Sequence, residues 1–231
     1  MLASALMGFG CVGLAGTGYF LPHLQRYTNA RALQRQATRT RSLVLTYDDG
    51  PGAVSTPRLL SLLHARQAVA TFFLVGRQAE AHPALVEQVR AAGHEIGCHT
   101  YSHCHAWKVA PWTASRDVDR GYAALASSMS SSGVFRPPYG KITLATWLNL
   151  RWRHAPVALW TADSGDTHAV LPKVNVVVDR IRAAGGGVVL LHDFDRTQDR
   201  IDFVLAVTDA LLDLAAHEHM HVRKLGELWP T

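Results

Sequence analysis

Ser42-Leu43-Val44-Leu45-Thr46-Tyr47-Asp48-Asp49-Gly50-Pro51-Gly52 sets two adjacent carboxylates at the end of a short aliphatic run and then breaks the backbone. Ser42 to Thr46 reads as a buried strand, and Gly50-Pro51-Gly52 cannot extend it. The two carboxylates therefore fall at the strand's C-terminal edge. Side by side they repel, and burying them requires a nearby cation, either a metal or an arginine. The same residues also suit a solvated Asp-Asp-Gly turn, so partners elsewhere in the chain must decide.

Outward from this stretch, short aliphatic runs alternate with amphipathic segments, the pattern of parallel strands joined by crossover helices. Further strands are expected at Val69 to Val75, Glu95 to Cys98, Val134 to Arg136, Val157 to Trp160, Gly187 to Leu191 and His221 to Leu225. Helices are expected at Pro57 to Ala65, Pro83 to Ala92, Ala114 to Ser127, Thr143 to Arg151, Val174 to Ala184 and Arg200 to Ala216. Seven units in about 190 residues are short for an eight-fold barrel. The α/β fold expected is a distorted, incomplete (β/α)7 barrel, with a doubly wound open sheet as the alternative. Either architecture collects its site at the C-terminal ends of the strands.

The polar clusters follow that rule. His99-Thr100-Tyr101-Ser102-His103 follows the third strand, with two imidazoles at a spacing that suits a metal. Joined to the Asp48-Asp49 pair they form a two-histidine, one-carboxylate set with open positions, as in catalytic zinc and related sites. Arg136-Pro137-Pro138-Tyr139-Gly140, Asp163-Ser164-Gly165-Asp166-Thr167 and Leu190-Leu191-His192-Asp193 close the next three strands. Singly, Arg136 reads as a surface ion pair, Asp166 as a helix cap and His192 as a core histidine. Recurrence at equivalent strand ends argues for one shared site.

These ordered motifs, spread over residues 41 to 225, resemble the polysaccharide deacetylase family, the NodB-homology or carbohydrate esterase 4 family. The resemblance implies that Asp48 is the catalytic base and that Asp49, His99 and His103 are the metal ligands. It implies that Arg136 holds the base, that the Tyr139 N–H binds the oxyanion, and that Asp166 tunes the catalytic His192. Leu190 would line the pocket for the acetyl methyl group. Thr167 departs from the pattern, because the family usually carries tryptophan there, so it bears on the shape of the acetyl pocket.

Elementary chemistry agrees with these roles. Hydrolysing an amide at neutral pH needs an activated water, which bound Zn²⁺ supplies, and Co²⁺, Ni²⁺ or Fe²⁺ accept the same ligands. Asp48 facing the Arg136 guanidinium is expected to stay ionised and take the water's proton. His192 beside Asp166 is expected to hold a proton for the amine leaving group. The expected function is metal-dependent removal of N-acetyl groups from a chitin-like or peptidoglycan-like glycan. Two alternatives are deacylation of a lipid-linked amino sugar and a glycan-binding module whose chemistry has lapsed, though such a module needs none of Asp48, Arg136, Asp166 and His192 in these roles.

Composition narrows the remaining classes. The 231 residues, 48% hydrophobic and 18% charged with a formal charge of +5, are those of one globular domain over residues 41–231 and show no nucleic-acid signature. Three cysteines make no disulfide framework, and Cys98 reads as a small buried hydrophobe. Met1 to Pro22 contain no charged side chain and are long enough for a membrane-spanning apolar helix. They are read as an anchor or uncleaved signal, followed by a basic juxtamembrane linker over 23–40. There Arg31, Arg35 and Arg39 recur every four residues, on one face of a short helix beside anionic lipid. The expected partners are thus an acetylated glycan or glycolipid and a membrane, with the side of that membrane open. His217-Glu218-His219-Met220-His221 meets the H-E-x-x-H spacing of zinc proteases but straddles a predicted helix end.

Overall fold

A computed structural model describes residues 28–228; the proposed anchor at 1–22 lies outside them. Helix α1 covers residues 28–39. It is followed by β1 (Ser42–Asp48), α2 (Ser55–Ala65), β2 (Thr71–Leu74), α3 (Gly76–Ala81), α4 (Pro83–Ala91), β3 (Glu95–Cys98) and α5 (Pro111–Ala124). Then come α6 (Leu144–Trp152), β4 (Ala162–Asp163), α7 (Val174–Ala184), β5 (Gly187–His192), α8 (Gln198–His217) and β6 (His221–Val222).

All pairings are parallel, in the order β3-β2-β1-β5-β4, with β6 beside the start of β1. Single bridges from Cys98 to Phe135 and from Phe135 to Val157 continue the ring. The chain from Val157 then reaches β4, which pairs with β5. The expected distorted barrel is thereby closed through two stretches that are barely strands. Pro156 precedes one and Pro137-Pro138 follow the other, and a residue without an N–H cannot extend a ladder. Pro156 serves only as acceptor, from the Phe135 N–H at 2.9 Å.

β1 is buried along its whole length, and its alternation sorts the two faces. Leu43, Leu45 and Tyr47 pack outward in the main core with Val204, Val207 and Leu211 of α8. Val44 points inward with Phe73, Val134, Ala158 and Val188. That inner cluster is capped by Leu33 and Ala37 of α1 and by Leu225 and Leu228. The segment read as a linker up to residue 40 is thus helical from residue 28 and plugs the barrel's N-terminal end. No helix among the described residues is long and apolar enough to cross a membrane.

Candidate active site

The backbone at the C-terminal end of β1 is contorted in a specific way. Asp49 has φ 73°, and Thr100, His103 and Tyr139 have φ 63°, 59° and 57°. Left-handed conformations are costly for residues with a Cβ, most of all for a β-branched threonine, and they persist where function and surrounding packing impose them. At Gly50 a Cβ would lie 2.7 Å from the Asp193 carbonyl oxygen and from its Oδ2, so only glycine lets the turn pass beneath the β5 loop.

Two buried charge pairs face the resulting cleft. Arg136 is fully buried; its Nη1 donates to Asp48 Oδ1 at 2.8 Å and to Thr46 Oγ1 at 2.7 Å, and its Nη2 donates to the Leu159 carbonyl at 3.1 Å. Its guanidinium also lies 4.1 Å from the centroid of the Phe73 ring. Burial lowers the pKa of this guanidinium, and the Asp48 charge opposes that. On the other side, Asp166 accepts from the His192 backbone N–H at 2.8 Å and lies 2.9 Å from His192 Nδ1. Burial alone would lower the pKa of His192. The hydrogen bond and charge of Asp166, with Asp48 and Asp49 nearby, outweigh it and raise the value to about 9.

Between these pairs stand Asp49, His99 and His103, whose ligand atoms all lie within 4.8 Å of one another. Asp49 Oδ1 is 3.4 Å from His99 Nε2 and 3.0 Å from His103 Nε2, yet it is buried without a hydrogen-bond partner. His99 Nδ1 sits 2.7 Å from the Arg136 carbonyl, to which it must donate, so Nε2 is the nitrogen turned toward Asp49. Burial and the neighbouring His99 lower His103 to about 4, so this imidazole is neutral at pH 7. Burial opposes ionisation of Asp49, but His99 and His103 overcome it and hold the carboxyl well below its ordinary range. An orphaned carboxylate oxygen facing the Nε2 atoms of two imidazoles is the donor set of a borderline divalent cation.

The cleft has a volume of about 520 Å³ and is lined by Asp48, Asp49, His99, His103, Tyr139, Thr167, Leu190 and His192. Arg136 and Asp166 lie behind Asp48 and His192. All ten residues picked from the sequence are therefore brought together. Tyr139 is 55% exposed, with its ring between His103 and His105 at centroid distances of 4.8 Å.

The sequence reading missed several contributors. Arg77, Trp160, Phe194 and Arg196 also line the cleft. Beside His192, Asp193 is fully buried and accepts from Thr56 Oγ1 at 2.7 Å; burial raises its pKa to about 8. Asp195 Oδ1 accepts the Val54 and Ser55 N–H groups at 2.9 Å, capping α2 from a distant loop and tying the chain after His192 to the start of that helix. Adjacency to His192 was the available signal for Asp193 and Asp195. The protease-like spacing dissolves: α8 ends at His217, and His221 is on β6. Cys98 is buried, with its thiol raised to about 12 by burial.

A family model described as polysaccharide deacetylase matches residues 35–152. A peptidoglycan-N-acetylglucosamine deacetylase of Bacillus cereus is 33% identical over 174 residues, covering 74% of this chain and 81% of that one. A chitooligosaccharide deacetylase of Sinorhizobium fredii is 31% identical over 172 residues, covering 71% and 77%. A crystal structure of a peptidoglycan N-acetylglucosamine deacetylase bound to a naphthyl N-oxidanyl-benzamide superposes with a TM-score of 0.73 at 25% identity, covering 82% of this chain and 88% of that one. Sequence and fold thus agree with the clustered strand-end motifs, and the chain belongs to the polysaccharide deacetylase family.

Proposed function

We propose that the protein is a metal-dependent hydrolase that removes N-acetyl groups from the amino sugars of a glycan. The observation that carries this reading is the placement of Asp48–Arg136 and Asp166–His192 on either side of the Asp49, His99 and His103 donor set. A divalent ion held by that set supplies Lewis acidity toward the acetyl carbonyl and makes water acidic enough to ionise near neutral pH.

The remaining steps belong to the chain's own groups. Asp48, fixed by Arg136, accepts the proton of the attacking water as it adds to the acetyl carbon. The Tyr139 N–H donates to the oxygen that gains charge. His192, protonated and oriented by Asp166, gives its proton to the sugar nitrogen as the C–N bond breaks, so the amine leaves neutral. Leu190 walls the space for the methyl group. Acetate release from N-acetylglucosamine oligomers, abolished by a chelator and restored by added Zn²⁺, tests the reading. Glycan binding without acetate release would instead make the protein a binding module.

The pH profile follows from the His192 pair. The acid must be protonated to act, so kcat is expected to fall on the alkaline side as His192, held up by Asp166, loses its proton. With Asp166→Asn the raising charge is lost while the burial that lowers the pKa remains, so the alkaline limb should move to lower pH. A limb unmoved in Asp166→Asn would assign it to another group.

Thr167 stands exposed at the cleft wall. Replacing this small side chain by tryptophan should narrow the acyl pocket, with roughly a tenfold loss of kcat/KM for each added methylene of the acyl group relative to acetyl. Acetyl, propionyl and butyryl substrates compared in the native protein and in Thr167→Trp give the answer; equal discrimination in both would contradict it.

A further inference from the structure

We propose that the N-terminal end of the barrel is a seat for an anionic lipid surface, with the cleft held at the opposite end. Helix α1 closes this end by burying Leu33 and Ala37, which leaves Arg31, Arg35 and Arg39 exposed on its outer side. The first 47 residues contain no Asp or Glu. A second element reaches the same end. Helix α6 begins beyond the Tyr139 turn and runs down to Trp152, after which the chain re-enters the barrel at Val157. Asn29 of α1 joins the two, its Nδ2 donating to the Val157 carbonyl at 2.8 Å and its Oδ1 accepting the Leu159 N–H at 3.1 Å.

On α6, Trp152 is 80% exposed and Leu148 54%, with Arg151 exposed between them. From Arg136 to Ala162 there is again no acidic residue. The carboxylates at this end have cationic partners: Asp119 with Arg153 at 2.6 Å, Glu218 with Arg182 at 3.9 Å, and Glu227, on the turn that shares the plug, with Lys224 at 3.7 Å. Arginines beside an exposed tryptophan and leucine have the chemistry of a membrane interface, the rings at headgroup depth and the guanidinium groups on anionic lipid. In the sequence, the uncharged run Met1 to Pro22 precedes α1.

This placement bears on the substrate. β1 spans the barrel with 7 residues, so the reacting atoms lie roughly 20 Å from the seated face. Such a distance suits a polymer strand lying off the membrane and disfavours a sugar held at the bilayer by its own lipid.

The test is hydrogen exchange on the full chain with vesicles of phosphatidylglycerol and phosphatidylcholine, compared with phosphatidylcholine alone. Peptides over 29–41 and 147–154 should gain protection on the anionic vesicles only, and those over 99–105 and 138–141 should not. High salt, or the exposed-site variant Arg31→Gln/Arg35→Gln/Arg39→Gln with its melting temperature unchanged, should remove that gain. The triple variant's affinity for anionic vesicles, measured where the apolar run does not dominate, should fall roughly a hundredfold. Equal protection on neutral vesicles, protection centred on the cleft, no protection at all, or protection that grows with protein concentration without lipid would each overturn the proposal.

Discussion

Asp48→Asn is expected to lower kcat by about 10³ while leaving bound metal at the native level, because the amide keeps the side chain's size and its hydrogen bond from Arg136 but cannot take a proton. The neighbouring Asp49→Asn should behave differently. It removes the charge from the oxygen facing His99 and His103, so the metal is lost and activity falls as a consequence. Metal content and acetate release measured on both variants separate the two roles. Metal loss in Asp48→Asn with retention in Asp49→Asn would reverse the assignment.

The second large effect is on stability. Arg136→Met should destabilise the fold by about 3–5 kcal/mol, because it strands the buried Asp48 carboxylate without its cation. Only 3% of the Asp48 surface is exposed, so solvent cannot substitute for the guanidinium. Thr46 Oγ1 and the Leu159 carbonyl also lose a donor. Urea denaturation of Arg136→Met and of Arg136→Met/Asp48→Asn reads the effect. The double variant should recover much of the loss, since a neutral amide is cheaper to bury than an unpaired charge. A single variant within about 1 kcal/mol of native would mean that the pair is far better hydrated than its burial indicates.

The parts of this architecture that were legible in the sequence are those set by local chemistry. β3 at Glu95–Cys98 and α7 at Val174–Ala184 coincide with their expected bounds, since Gly93 before the strand and Gly185-Gly186 after the helix punctuate them. The site residues were legible because they cluster at or just past the C-terminal ends of strands, where such barrels gather their chemistry. Helix α3 was not anticipated: Gly76–Ala81 is too short to show a period. The docking of α1 was also unreadable, because its signal is one Leu33 and one Ala37 amid polar residues, and the barrel end they fill is assembled from residues scattered between Val44 and Leu228. The expected strand at His221 to Leu225 stops at Val222, where the chain turns so that Leu225 and Leu228 can share that plug. The cleft contributions of Arg77, Trp160, Phe194 and Arg196 depend on loop placement, which no spacing rule encodes.

The central claim is that Asp49, His99 and His103 hold one divalent ion on which hydrolysis depends. Its most direct test is the metal stoichiometry of the native protein and of His99→Ala and His103→Ala after dialysis against Zn²⁺, with acetate release measured on the same samples. The expected result is one ion per native chain, little or none in either variant, and activity that follows the metal while the fold is kept. Full metal occupancy in either variant, or undiminished acetate release from protein stripped of metal, would contradict the account.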